Sequence, residues 1–252
     1  MKLKEKIITE LVYWKNKKKR KTISLAKQLK GGRALEIGGP SKIFGLKSFF
    51  PAYLYTKAVD GVNFSNQTVW EGNIVEGRNY HYISTKPPGR QFIDEAGLLQ
   101  QVADNSYDLL ISSHCLEHLA NPLGALQNWV RVVRPGGRLC IIVPFKNGTF
   151  DHRRPFTGFE HLLNDFYNHT GEDDSTHFAE SIALTDLAHP VMNNISKEEF
   201  VKRTNDNFQN RCVHHHVFSV ELLQKMFAFL NCNVLHNEVY DNLQLLVIAE
   251  KL

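Results

Sequence analysis

The chain predicts an α/β fold: a doubly wound, mostly parallel sheet of seven strands, with an antiparallel last strand and an inserted cap. Three observations carry this. Short apolar runs alternate with helical patterns along the chain, as in successive strand–helix–strand units. The stretch Asp108–Pro144 reads as strand, polar turn, helix, Pro-Gly-Gly break and strand. The last two apolar runs, CNVLHNEV and LQLLVIAEKL, are joined too closely for a helical crossover and should pair antiparallel.

The elements follow in order. Residues 1–30 form a basic, amphipathic helical segment, with Leu3, Ile7, Leu11 and Trp14 on one face and a dense run at Lys15, Lys17, Lys18, Lys19, Arg20 and Lys21. Residues 31–252 form the sheet domain, with residues 145–217 inserted as a substrate cap. GGRALEIGGP is a loop, a short buried strand and a glycine turn, and SKIFGLKSFF opens the next helix. LYTKAVDGVNF is a second strand ending at Asp60. Residues 61–89, rich in Gly, Asn, Pro and aromatics, show no clean period. A third strand near Arg90–Ile93 ends at Asp94 and Glu95. The fourth, DLLIS, is short and wholly apolar, as expected for a strand covered on both faces. Asn121 then caps a helix with Pro122 at its first position, and Arg134-Pro135-Gly136-Gly137 stops it before the fifth strand. After seventy polar residues without strand signal, Phe218–Leu230 reads as the last helix.

With 252 residues, 42% of them hydrophobic, the chain can bury a sizeable core. Its four cysteines (Cys115, Cys140, Cys212, Cys232) show no C-x-x-C spacing, which points to a reducing, cytoplasmic setting and away from a zinc–cysteine site. No run approaches the roughly 18 apolar residues of a membrane span. The net charge of +4 is concentrated in the lysine run. That run is either a solvated helix face or a contact for an anionic membrane surface through residues 1–21.

In open α/β sheets ligands sit beyond the carboxyl ends of the strands. The lip here offers Gly38 and Gly39 after strand one, Asp60 after strand two, Asp94 or Glu95 after strand three, and Ser112-Ser113-His114 after strand four. Glycine admits close backbone approach. An acid after strand two is placed to hold ribose hydroxyls. A dinucleotide site needs G-x-G-x-x-G, but Pro40 breaks the pattern and removes an N–H that a phosphate would use. A ligand with ribose and adenine but no phosphate fits better.

At these residues the chain resembles a class I S-adenosylmethionine-dependent methyltransferase, with a Rossmann-like sheet. ALEIGGP is similar to that superfamily's first motif, usually E-x-G-x-G-x-G, and SYDLLISSHCLEHLANPLGALQNWVRVVRPGGRLCIIVP resembles the later motifs of the methyltransferase-11-like group. The resemblance covers about residues 32–144 and the final helix and strands. It implies S-adenosylmethionine as cofactor, with Glu36, Gly38 and Gly39 at its methionine end and Asp60 on its ribose. Asp94 or Glu95 would stand near the adenine, and Ser113 and His114 beside the sulfonium.

His114-Cys115-Leu116-Glu117-His118 also spells the inverted zinc-protease motif, but only about one turn fits between the strand and the Asn121 cap. That reading is rejected, and His118 is expected to be a structural residue beneath the lip. Eight of the twelve histidines lie between His152 and His216. An insertion after the fifth strand overhangs the lip, so a general base is expected from His152, His161 or His215, histidine being suited to titrate near neutrality. The alternative is a divalent metal on a diol acceptor, to which the pairs His161/Asp165 and Asp174/His177 would contribute; no metal ligand set is assigned. Arg153 and Arg154 would clamp an acidic group of the substrate or balance the acidic run at 172–174.

The expected activity is O-methylation of a small-molecule or glycan-type hydroxyl. Amino-group methyltransferases of this superfamily usually carry [DNS]-P-P-[YFW] after the fourth strand, and Ser112-Ser113-His114-Cys115 does not match it. A nucleic-acid methyltransferase rests only on the basic pI and the lysine run, and a non-catalytic cofactor-binding protein is the third reading. Oligomeric state is not legible.

Overall fold

A computed structural model of the chain describes residues 3–15 and 17–252. Helices α1 (Leu3–Lys15) and α2 (Lys17–Lys27) precede strand β1 (Arg33–Ile37). A 3-10 turn at Lys42–Phe44 and the one-turn helix α3 (Ala52–Tyr55) lead to β2 (Ala58–Asn63). A small hairpin of β3 (Gln67–Thr68) and β4 (Gly72–Asn73) is followed by β5 (Gly77–Tyr80), β6 (Gly89–Ile93) and β7 (Tyr107–Ser113). Helix α4 (Pro122–Val132) joins β7 to β8 (Val133–Pro144). The insertion holds α5 (Phe159–Tyr167), α6 (Phe178–Leu184), α7 (Lys197–Asn205) and α8 (Asn207–Asn210). Helix α9 (Val220–Phe229) and strands β9 (Cys232–Tyr240) and β10 (Gln244–Lys251) close the chain.

The sheet runs β5-β6-β2-β1-β7-β8-β10-β9. Strands β6, β2, β1, β7 and β8 are parallel, and β10 is antiparallel to both β8 and β9, as its tight connection requires. The sheet has eight strands rather than seven. The additional edge, β5, pairs antiparallel with β6 only at Gly77 and Tyr80, across a register shift. So short and irregular a strand leaves no alternation to read.

Alternate residues of the central strands pack into two cores. Leu35, Ile37, Leu110, Leu139 and Ile141 face Leu126 and Trp129 of α4 and Leu223 and Phe227 of α9. Ala34, Leu109, Ile111, Cys140 and Ile142 face Ala26 of α2 with Phe44, Phe50 and Tyr53. Period-two side chains buried on both faces are why these strands read as unbroken apolar runs. Helix α2 docks through Thr22, Ile23 and Ala26, all fully buried, while α1 leaves Ile7, Leu11 and Trp14 exposed. No helix among the described residues is long and apolar enough to cross a membrane.

Three local expectations differ. Strand β2 continues past Asp60 to Asn63. The helix expected from SKIFGLKSFF is only a 3-10 turn, capped by Ser41 and ended at Gly45, with Pro51 opening the short α3. Strand β8 begins at Val133, its Arg134–Gly137 stretch bulging between the pairs Tyr107–Val133 and Leu109–Arg138. Asn121 caps α4 as expected, its Oδ1 accepting from Gly124 N at 2.9 Å.

Candidate active site

The chain passes from β1 to β2 and β6 on one side, then crosses to β7 and β8 on the other. The crevice beyond the ends of β1 and β7 is therefore the switch point where such sheets take ligands. Gly38 turns the chain there with φ +76° and donates to Val62 O at 2.9 Å. At Gly39 a Cβ would lie 2.2 Å from Glu36 Cδ and 2.3 Å from Tyr80 Oη, so only glycine fits. Glu36 beneath it is fully buried. Its carboxylate accepts from Tyr53 Oη at 2.6 Å, Tyr80 Oη at 2.5 Å and Ser41 N at 2.9 Å. Burial pushes Glu36 up to about 7 against the pull of those donors. Glu36 thus holds the glycine turn from below, with its carboxylate occupied by protein groups.

Asp60 lies on the third residue of β2, below the lip. Its buried carboxylate accepts from Arg33 Nη2 at 2.6 Å, Arg90 N at 2.7 Å and Tyr107 Oη at 2.8 Å, a knot across the sheet with Arg33 half exposed. The residue at the end of β2 is Asn63, buried, its Nδ2 donating to Gly39 O at 2.9 Å and its Oδ1 accepting from Trp70 Nε1 at 3.2 Å. Sequence reading passed over Asn63 because the strand was ended three residues early. Asp94 follows β6, its N donating to Asn63 O and its Oδ2 accepting from Gln101 N at 2.7 Å. Glu95 turns to the insertion and pairs with Arg211 at 3.1 Å, and Arg211 also reaches Glu172 at 2.6 Å. Burial holds Glu172 up to about 7, Arg211 notwithstanding.

A cavity of about 420 Å³ opens at this switch point, within the usual span for small-molecule sites. Gly38, Pro40, Ser113 and His114 line its sheet side; Trp70 and Glu71 of the β3–β4 turn, with Met192, Arg203 and Arg211 of the insertion, line the other. Ser113 lines the cavity, and its Oγ is buried without a hydrogen-bond partner.

His114 and His118 both line the cavity and flank the buried Glu117, at 3.4 Å and 3.9 Å from its Oε1. The Nε2 of His114 is 2.6 Å from Gln244 Oε1, so both its ring nitrogens are engaged. Burial acts to lower His114, but the hydrogen bond and charge of Glu117 outweigh it and leave the pKa raised. The Glu117 carboxyl lies below its ordinary value: burial raises it, and His114 with the neighbouring histidine charges more than reverses that. His118 Nδ1 is 3.1 Å from Val213 O. Burial, reinforced by the charge of His214, pushes His118 down to about 4, so the ring is neutral at pH 7. His118 is therefore a cavity residue and not merely a support. Its 3-10 turn at Leu116–His118 confirms that no zinc-protease helix forms.

The insertion histidines expected to supply the base stand elsewhere. His152 is exposed, with Nδ1 3.0 Å from Thr149 O. His161 lies on α5 against His177. His215 is fully buried, its Nε2 3.1 Å from Asn207 Nδ2, and burial pushes it down to about 3. None of the three lines the cavity. Their stretch is rigid: buried Arg154 donates to His214 O at 2.7 Å, His215 O at 3.1 Å, Asp151 Oδ1 at 3.2 Å and Glu180 Oε1 at 2.8 Å. Arg154 is thus consumed inside the protein, and Arg153 pairs with Asp186 at 3.2 Å. Asp174 caps Thr176 and stands 3.8 Å from His215.

Fold and cavity define a doubly wound α/β protein with its ligand crevice at the β1/β7 switch point. A family profile described as a methyltransferase domain matches residues 55–141, from α3 into β8. Residues 55–141 thus carry the sequence pattern of a methyltransferase domain, set in a Rossmann-like sheet. Similar solved structures show the same fold. An S-adenosylmethionine-dependent methyltransferase from Mesorhizobium loti is 12% identical, with TM-score 0.54 over 95% of this chain and 98% of that one. A protein of Bacillus halodurans C-125, assigned to the methyltransferases, is 11% identical, with TM-score 0.53 over 92% and 98%. No curated protein sequence matches the chain.

Proposed function

We propose that the chain methylates a hydroxyl of a small-molecule or glycan-type acceptor, with His118 as general base. One observation carries this reading: a neutral imidazole on the cavity wall, its Nδ1 directed at a backbone carbonyl. With the proton fixed on Nδ1, the Nε2 lone pair is free to take a hydroxyl proton, and Glu117 at 3.9 Å stabilises the imidazolium that results. Bound S-adenosylmethionine supplies a methyl group already activated by its sulfonium. On the donor side, Gly38 allows close backbone approach, Ser113 lies on the cavity wall, and Asn63 braces the glycine turn through Gly39 O. On the acceptor side, Glu71, Arg203 and Arg211 suit an acceptor rich in hydroxyls. The test combines titration of S-adenosylhomocysteine with turnover on a panel of sugar, phenol and amine acceptors. Turnover of amines alone would overturn oxygen as the acceptor atom. Nucleic-acid binding with a steep salt dependence would favour a nucleic-acid substrate instead.

We also infer that α1 rests on an anionic lipid surface. Ile7, Leu11 and Trp14 share one helix face and are 49%, 50% and 66% exposed, directly ahead of the lysine run. An apolar face with flanking cations favours an anionic lipid interface over a purely ionic partner such as nucleic acid.

A further inference from the structure

The insertion holds a second constellation that the donor cavity does not use. Successive turns of α5 place His161 and Asp165 on one face, at i and i+4. His177 caps α6, and His216 comes from the buried segment ahead of α9. His161 Nε2 stands 3.0 Å from His177 Nε2 and 3.3 Å from Asp165 Oδ2, and His216 Nε2 is 3.8 Å from the same oxygen. One ligand-type atom from each of the four lies within 4.8 Å of all the others. We propose that His161, Asp165, His177 and His216 form a structural site for a zinc-class divalent ion.

The spacing suits the ion. Two ligands each about 2.0–2.1 Å from zinc at the tetrahedral angle stand about 3.3 Å apart, inside the range of the contacts above. The competing account is a His161–His177 hydrogen bond with no ion. It explains the 3.0 Å contact but leaves Asp165 Oδ2 buried with no hydrogen-bond partner. A cation satisfies that oxygen and gathers the three imidazoles around it. The surroundings orient the ligands as metal sites require. Thr170 Oγ1 donates to Asp165 Oδ1 at 3.2 Å, which turns Oδ2 toward the histidines. His216 Nε2 is also 3.1 Å from Ala120 O, a contact that the ion would replace. Three imidazoles and one carboxylate select a borderline ion such as zinc over calcium or magnesium.

The role is structural. Four protein ligands fill a tetrahedral shell, whereas catalytic zinc keeps a position open. None of the four lines the cavity. The ion would tie α5, the start of α6 and the segment carrying Val213, whose carbonyl orients His118. It would therefore hold the cap in shape without meeting the acceptor.

The test uses the full chain prepared without a histidine tag, and His161→Gln, chosen because His161 sits half-exposed on a helix. Metal analysis should find about one zinc per wild-type chain and at least a tenfold loss of zinc affinity in the variant. A chelator should lower the wild-type Tm and leave that of the variant unchanged. Cobalt(II) should give the visible absorption of a tetrahedral site in wild type only. S-adenosylhomocysteine titration confirms that each sample is folded. A folded wild type that holds no zinc and gains no Tm on zinc addition overturns the proposal. So does a His161→Gln protein that keeps zinc at the wild-type affinity.

Discussion

His118 Nδ1 lies 3.1 Å from the carbonyl oxygen of Val213, a hydrogen bond that joins the sheet lip to the segment closing the insertion. The two residues are ninety-five positions apart in sequence, so the tautomer of the lip histidine is set by the cap. An insertion that looks like a source of catalytic histidines acts instead on a histidine of the lip.

His118→Gln is expected to lower kcat by about 10²- to 10⁴-fold, the ordinary range for losing a general base, while S-adenosylhomocysteine binds within a few-fold of wild type. A base pushed down to about 4 stays neutral across the mildly acidic range, so kcat should hold as pH falls toward about 5. An apparent pKa near the ordinary histidine value, or a variant with full turnover, removes His118 from the role.

Asn63→Ala should weaken S-adenosylhomocysteine by at least about tenfold, since the amide that braces the glycine turn at Gly39 O is lost. Asp60→Ala should act on folding instead. It strips three donors of their acceptor, the buried Tyr107 hydroxyl, Arg90 N and the half-exposed Arg33 guanidinium, at a cost of about 1–3 kcal/mol. Calorimetric titration and thermal melts of both variants separate the two effects. Weakened ligand with unchanged Tm in Asp60→Ala would reverse the assignment.

The Asp108–Pro144 stretch announced the fold because its signals are local: an apolar run, an Asn121 cap, a Pro-Gly-Gly stop. Gly38, Ser113 and His114 were legible for the same reason, since a strand end marks the lip. Asn63 was hidden by a strand boundary, where a shift of three residues exchanges one acidic candidate for an amide. Tyr80, which completes the shell of Glu36, comes from the aperiodic 61–89 segment. The pair His161/Asp165 is visible as one helical turn, but His177 and His216 join it only through tertiary packing. His118 shared a motif with a zinc-protease pattern, and rejecting the motif hid the residue.

Vesicles containing phosphatidylserine should float with the full chain at low salt and release it as salt rises, each basic residue near the surface contributing about 1 kcal/mol. Trp14→Ala with Leu11→Ser should abolish flotation and leave turnover on a soluble acceptor intact. Equal flotation with neutral vesicles, or none with anionic ones, removes the membrane contact.

Stability should fall gently in mild acid and then steeply. His118 and His215 are held down to about 4 and about 3, so the unfolded chain binds their protons first. Their contribution is complete above the ordinary histidine value of about 6.5 and is lost as pH drops toward their folded values. Glu36 and Glu172, raised to about 7, act with the opposite sign. The folded chain protonates them first, so their contribution grows as pH falls from about 7 to the ordinary carboxyl value near 4.3, and is constant below that. Between about pH 6.5 and 4.5 the two carboxyls offset His118 and His215, each of the four worth about 1.4 kcal/mol per pH step. His216, which burial also pushes well down, adds a further loss. Below that window only losses continue, and Glu117 and Asp151, both held below their ordinary values, add to them. Glu172→Gln removes one compensating carboxyl, so between about pH 6.5 and 4.5 its Tm should fall more steeply than that of wild type. Melts across this range at constant ionic strength decide the matter. Parallel curves for the two proteins would show that Glu172 titrates alike in the folded and unfolded chain, and a wild-type Tm that climbs steadily into acid would show the same of the histidines.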